Sequence, residues 1–193
     1  MKRVCVYSGS SGGARPEYTM AAERLASALV GRGIDIVFGG GNVGLMKVVA
    51  DTALAGGGRV IGVIPEALMA REIGHLDLTE LHVVASMHAR KAMMEELSDG
   101  FIALPGGFGT IEEIVEMATW AQLGLHTKPF GLLDAAGFYE HLAAFFDHAV
   151  AEGFIRPQHR EMLIVSDDPV VLLDAFAAYE PPTVHKWIDR DET

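Results

Sequence analysis

The sequence has a single cysteine, Cys5, so no disulfide can form within the chain. Its place in the apolar run Val4-Cys5-Val6 marks a buried thiol in a strand. Cations are also scarce: 15 Lys and Arg stand against 26 Asp and Glu, a net charge of −11. That balance excludes the basic face a nucleic-acid partner needs and disfavours an anionic membrane surface. No apolar run is long enough to cross a bilayer. Lys2 and Arg3 precede only a short apolar stretch, which reads as a strand and not as a signal peptide. A soluble, cytoplasmic protein with no nucleic-acid or membrane partner is expected. The histidines show neither His-Glu-x-x-His nor a Cys/His cluster, so no metal site is expected. No Gly-x-Gly-x-x-Gly follows the first strand, so a dinucleotide is not favoured and no cofactor is expected. Ser8 and Ser10 lack the nucleophile elbow of a serine hydrolase.

What the chain does have is apolar residues and glycine. Half of its 193 residues are hydrophobic, enough for one sizeable core. Short apolar runs over 3–7, 34–38, 60–64, 81–84, 101–104, 129–133 and 163–165 read as strands. Helical patterns alternate with them. One runs from Pro16 to the Gly31 stop and one from Leu45 to the Gly56 stop. Others cover 87–97, 111–123, 138–150 and 169–179. The polar stretch 66–78 reads as a surface loop or lid. Continuous apolar strands imply burial on both faces. The expected fold is α/β: a single-domain, Rossmann-like parallel sheet over 1–180 with helices on both faces, then a charged tail over 181–193.

Three strands end in small-residue loops: Ser8-Gly9-Ser10, Gly39-Gly40-Gly41-Asn42 and Pro105-Gly106-Gly107. In a parallel sheet all three fall on the carboxyl edge, where ligands bind. The third is the most telling. Phe101 to Leu104 enters it as a strand, and the helix from Ile111 leaves it. Gly106, Gly107 and Gly109 permit the tight turn that aims free N–H groups and a helix dipole at an anion, phosphate above all. Thr110 either caps the helix or gives its hydroxyl to the phosphate. Glu113 either closes a capping box with Thr110 or stands beside whatever the phosphate carries. Acids and bases near such a ligand would be Glu112, Glu113 and Glu116 on the motif helix. Arg90 and Lys91 lie on the preceding helix, and Glu72 in the lid. A carboxylate beside a sugar C1′ stabilises an oxocarbenium-like transition state and can direct water.

Pro105-Gly106-Gly107-Phe108-Gly109-Thr110-Ile111-Glu112-Glu113 resembles the Pro-Gly-Gly-x-Gly-Thr-x-x-Glu signature of the LOG ("Lonely guy") family. The family comprises cytokinin riboside 5′-monophosphate phosphoribohydrolases. Met87-His88-Ala89-Arg90-Lys91 resembles its second motif. The segments at Ser8, at Gly39 to Met46 and at Thr119 to Gly124 are also similar to the family's. The resemblance implies hydrolysis of the N-glycosidic bond of a nucleoside 5′-monophosphate, AMP or an N6-substituted analogue, giving free base and ribose 5-phosphate. It implies Arg90 and Glu113 as the catalytic pair. The substrate would be lined by Ser8, Gly9, Gly40, Gly41, Asn42, Glu72, Met87, Arg90, Lys91, Gly106, Gly107, Phe108, Gly109, Thr110, Ile111, Glu112, Glu113 and Thr119. The lysine-decarboxylase label often given to such proteins is rejected, because no lysine sits in a Schiff-base context. The alternative is a non-catalytic nucleotide-binding or carrier protein on the same fold.

A homodimer is expected from the motif helix as well as from the resemblance. Ile111, Ile114, Val115 and Ala118 share a face expected against the sheet. Met117, Trp120 and Leu123 point elsewhere, toward a twofold partner.

Overall fold

The computed structural model describes residues 1–69 and 74–182. Among them seven strands form one sheet: β1 (Arg3–Tyr7), β2 (Asp35–Phe38), β3 (Val60–Pro65), β4 (Glu80–Val84), β5 (Phe101–Ala103), β6 (Phe130–Leu133) and β7 (Leu163–Ser166). Every pairing is parallel, in the order β4-β3-β2-β1-β5-β6-β7. The chain starts in the middle, steps outward to β4, and returns beside β1 as β5. The strand order therefore reverses between β1 and β5, and a crevice opens at their carboxyl ends.

The helices are α1 (Pro16–Gly31), α2 (Gly44–Ala55), α3 (Glu66–Met69), α4 (Met87–Leu97), α5 (Phe108–Leu123), α6 (Glu140–Ala151), α7 (Pro157–Arg160) and α8 (Pro169–Ala177). Alternation along the strands divides the core in two. Val4, Val6, Ile36 and Phe38 pack with Leu25, Leu29, Val49 and Leu172 from α1, α2 and α8. Cys5, Tyr7, Val37 and Phe101 pack on the other face with Met94, Ile114 and Met117 from α4 and α5. Cys5 is buried, as its strand position implies. No helix among the described residues is long and apolar enough to cross a membrane.

Several boundaries differ from those expected. The loop over 66–78 begins with one turn of helix, α3, and Gly74 pairs with Gly41 in an isolated antiparallel bridge. The tail expected from 181 lies outside the described residues from position 183 onward. Helix α5 starts three residues early, at Phe108, because Gly107 takes the N-cap position. Its buried stripe is Thr110, Glu113, Ile114, Met117 and Ala121. Met117, expected off the sheet, is thus fully buried, while Ile111, Val115 and Ala118 are only partly covered. Of the expected face, Ile114 is buried and Val115 and Ala118 pack on the core, but the stripe is rotated to take in Glu113 and Met117, because hydropathy counting would not place a glutamate inside.

The helix expected from 138 is delayed to Glu140 by a 3₁₀ turn, Ala135–Gly137. Asp134 stops it from starting earlier, its Oδ1 accepting the Tyr139 N–H at 2.6 Å. The turn buries Tyr139, whose hydroxyl donates to the Leu104 carbonyl at 2.7 Å, at the exit of β5. Tyr139→Phe removes that donor from a carbonyl in the core. It should lower stability by about 1–3 kcal/mol, read as a lower urea midpoint at unchanged m. An unchanged midpoint would mean that the bond has no net worth.

Candidate active site

The loops after β1, β2 and β5 meet at the crevice. The Gly9 N–H donates to the Pro105 carbonyl at 3.0 Å, and the Leu45 N–H donates to the Gly9 carbonyl at 3.0 Å. Two glycines let these backbones touch. A Cβ on Gly44, whose φ is +55°, would strike the Ser10 backbone, and one on Gly106 would strike the Thr110 side chain. A cavity of about 260 Å³ lies between Gly9–Gly13 and Pro105–Gly107, walled by Tyr18, Leu45 and Phe138.

The start of α5 is bare. Gly107 offers no side-chain cap, and Thr110, in the third helical position, is not one either. The first-turn N–H groups at Phe108, Gly109 and Thr110 have no intrahelical acceptor in such a helix and face the crevice end of the sheet. The capping-box alternative for Glu113 fails on the same geometry, since Glu113 lies too far along α5 to reach the N-cap amide. Instead Glu113 is buried and faces Arg90, with Arg90 Nη2 3.9 Å from Glu113 Oε1. Arg90 is held from α4, whose N-cap Ser86 accepts from the Ala89 N–H at 3.1 Å. Its Nη2 also donates to the Gly39 carbonyl at 3.4 Å, and Nη1 lies 3.9 Å from Met87 Sδ. A Cβ on Gly39 would collide with that guanidinium, so glycine there is a condition of the pair.

Burial pushes the Glu113 carboxyl up to about 7, against the pull of Arg90. A carboxyl in that range exchanges its proton at neutral pH, which suits a general acid or base. Lys91 beside it is different. Burial would lower its pKa, but ion pairs with Glu112 at 2.5 Å and Glu116 at 2.9 Å outweigh that and raise it. It is a fixed cation on the flank of the site. Three buried polar atoms on this edge have no partner: Ser8 Oγ, Asn42 Oδ1 and Arg90 Nε. Unpaired polar atoms collected at one edge mark a place built for a polar ligand.

The structure therefore gathers Ser8, Gly9, Gly40, Gly41, Asn42, Met87, Arg90 and Gly106 to Glu113 along the carboxyl edge. Glu112 and Ile111 sit on the outer flank of α5. Phe108 is 94% exposed. Thr119 stands apart. It lies six residues beyond Glu113, about 120° around the helix, and its hydroxyl donates to the Val115 carbonyl. It lines a separate cavity with Gln122, Phe146 and His159. Glu72 lies outside the described residues. Gly39 and His75 were not singled out from the sequence. Gly39 stood in the quoted glycine run, whereas nothing in the sequence linked His75 to the loop. Among the described residues no three His, Cys, Asp or Glu converge as metal ligands would.

A family model described as "Possible lysine decarboxylase" matches residues 46–176. Two cytokinin riboside 5′-monophosphate phosphoribohydrolases of Arabidopsis thaliana are 50% and 49% identical to the chain over 180 residues. The match takes in 93% of this chain and 83% and 84% of theirs. The chain belongs to the LOG family. Among solved structures, the molybdenum cofactor carrier protein of Chlamydomonas reinhardtii superposes with a TM-score of 0.69 at 20% identity, over 92% of this chain and 99% of that one. At that identity the likeness is one of fold, and the LOG sheet and the carrier's share it.

The raised Glu113 carboxyl makes stability depend on pH. The folded chain holds this proton to about pH 7, whereas an ordinary glutamate releases it near 4.5. The associated stability is full below the lower value and lost as pH rises through the upper one. Gln cannot titrate. The stability of Glu113→Gln relative to wild type should therefore climb by about 3 kcal/mol between roughly pH 4 and 8, measured by urea denaturation at each pH. A difference that stays flat would show an ordinary carboxyl.

Proposed function

We propose that this protein hydrolyses the N-glycosidic bond of cytokinin riboside 5′-monophosphates and of AMP, releasing the base and ribose 5-phosphate. The observation that carries this reading is a buried carboxylate, Glu113, paired with Arg90 one and a half turns into a helix whose N-terminus is uncapped. The 5′-phosphate sits on the amides of Phe108, Gly109 and Thr110, where the helix dipole favours an anion. Glu113 lies five residues on, about 7.5 Å further along the axis, a span that suits the distance from the phosphate to C1′. As the bond from C1′ to the base breaks, its electron pair leaves with the base and positive charge grows on the sugar. The Glu113 carboxylate stabilises that charge and accepts a proton from the water that attacks C1′; the departing base takes up a proton from solvent, and Glu113 returns its own to solvent, so that water is split between sugar and base. Arg90 keeps the carboxylate oriented and favours its ionised form.

A carrier would be served badly by this arrangement. Burying a carboxylate beside an anion's seat weakens anion binding, so Glu113 makes sense for turnover and not for storage. Lysine decarboxylation is no better served. Lys91, clamped between Glu112 and Glu116, has its pKa raised, the opposite of the lowering that activates a Schiff-base lysine.

The same reading includes a homodimer. No residue of α6 is fully buried, and Phe145 and Phe154 are 60% and 87% exposed. Phe146, next to Phe145, lines the cavity with Thr119, and Phe154 lines a neighbouring one that shares Gln122 and His159, so a second copy seated there would also cover the outer side of α5. Light scattering at micromolar concentration should give twice the 20.7 kDa chain mass. A monomer mass would discard the dimer.

Phosphate binding energy positions C1′, so AMP should be cleaved and adenosine scarcely touched. Equal turnover of the two would remove the phosphate from the α5 amides. Glu113→Gln should fold, bind AMP and lose roughly 10²–10⁴ in rate, whereas Glu112→Gln should lose little. In wild type, kcat/KM should rise with pH through about 7 as Glu113 ionises. A fall over that range would make Glu113 the acid.

A further inference from the structure

The second glycine loop is tied down from behind by a pair that the reaction does not use. His75 is buried, and its Nε2–H donates to Asp51 Oδ1 of α2 at 2.8 Å. Its backbone N–H donates to the Gly40 carbonyl at 3.0 Å, and its neighbour Gly74 bridges Gly41. Gly40 holds φ at +72°, a turn that glycine makes without strain, so the shape of the loop is compatible with these bonds. On its other side this loop meets the catalytic pair, for the Gly39 carbonyl accepts from Arg90 Nη2 and has no room for a side chain. Asp51, His75, Gly40, Gly39, Arg90 and Glu113 thus form one unbroken line of contacts. Lys47 reaches only the outer end of it, bonding Asp51 at 2.7 Å in the open.

We infer that His75 and Asp51 are a positioning pair for glycosidic hydrolysis, fixing the Gly39–Gly41 loop and through it the guanidinium of Arg90 against Glu113. This rests on the proposed function, but the structural part of it does not. Without the His75–Asp51 bond the loop is free to slide, and the Gly39 carbonyl no longer fixes Arg90. The phosphate seat at Gly106–Thr110 lies on a different loop and stays intact. The loss therefore falls more on kcat than on KM, because the phosphate seat is kept and only the contacts of Gly40, Gly41 and Asn42 with substrate are loosened.

The test compares His75→Leu, Asp51→Ala, His75→Gln and Lys47→Met in the full chain with AMP as substrate. His75→Leu and Asp51→Ala should lower kcat by roughly 10–100-fold, with a smaller rise in KM. His75→Gln keeps a side-chain N–H for Asp51 and should restore most of the rate. Lys47→Met should match wild type, because an exposed pair contributes little. A second readout needs no turnover: the ¹³C titration of the Glu113 carboxyl, assigned by its loss in Glu113→Gln. Arg90 pulls this carboxyl down against burial and against Glu112 and Glu116, with Lys91 also pulling down. If Arg90 drifts, the titration midpoint should move up in His75→Leu and Asp51→Ala and stay put in Lys47→Met. An unmoved midpoint, or a loss confined to KM, would overturn the positioning role. A wild type that leaves AMP intact while the midpoint still moves would instead overturn the proposed activity and keep the coupling.

Discussion

The site depends on keeping one carboxylate out of water at the carboxyl edge of the sheet. A buried charge is tolerated only with a partner. Here the partner is Arg90, which comes from a different helix and reaches Glu113 across the end of β2. That reach explains several otherwise separate features. Gly39 must lack a side chain. Ser86 must start α4 where Arg90 points inward. Helix α5 must turn Glu113 toward the sheet, although Ile111 would bury more apolar surface there. The pair is loose, at 3.9 Å, so the carboxyl is not pinned in its ionised form. A tight bidentate bridge would hold the carboxylate charged and make it a poor proton acceptor.

The topology places the rest. Because β5 returns beside β1, the first and third glycine loops are neighbours in space though about a hundred residues apart in sequence. The bond from Gly9 to Pro105 sets their spacing, and Tyr139 holds the exit of β5 from behind. The β2 loop completes the rim from the other side of β1. Each loop is supported by something outside the rim: Leu45 for the first, His75 for the second, Tyr139 for the third. A ligand that bridges the three loops meets a surface already set by the scaffold, so little ordering cost remains to be met on binding.

The alternation of strands and helices was legible because the five inner strands, β1, β2, β3, β5 and β6, are buried on both faces, so their apolar runs stand out without regard to register. The three glycine loops were legible for a related reason: only glycine lets backbones approach this closely, so function is written in composition. What the sequence hid was orientation. Apolar counting placed Ile111 and Val115 against the sheet, and it could not foresee that Arg90 would make Glu113 the better inward residue. The cap failed likewise, since Thr110-x-x-Glu113 satisfies the capping-box spacing while the helix begins three residues earlier. Residues that act through contact, such as His75 and Tyr139, carried no local signal. Their partners Asp51 and Leu104 lie 24 and 35 positions away.

A net charge of −11 opposes the approach of a nucleotide. The architecture answers by separating the long-range field from the local one. Beyond a Debye length, roughly 8 Å at physiological salt, the surface acids are screened and hardly oppose the substrate's approach. Within that range, on the proposed function, the phosphate meets backbone amides and the positive end of α5, whose partial charges do not titrate. Using the backbone for the phosphate leaves the site's cations to other work. Lys91 neutralises Glu112 and Glu116, which would otherwise repel the substrate and raise Glu113 further. Arg90 is then the cation that tunes the carboxylate, and its position against Glu113 becomes the variable on which the chemistry turns.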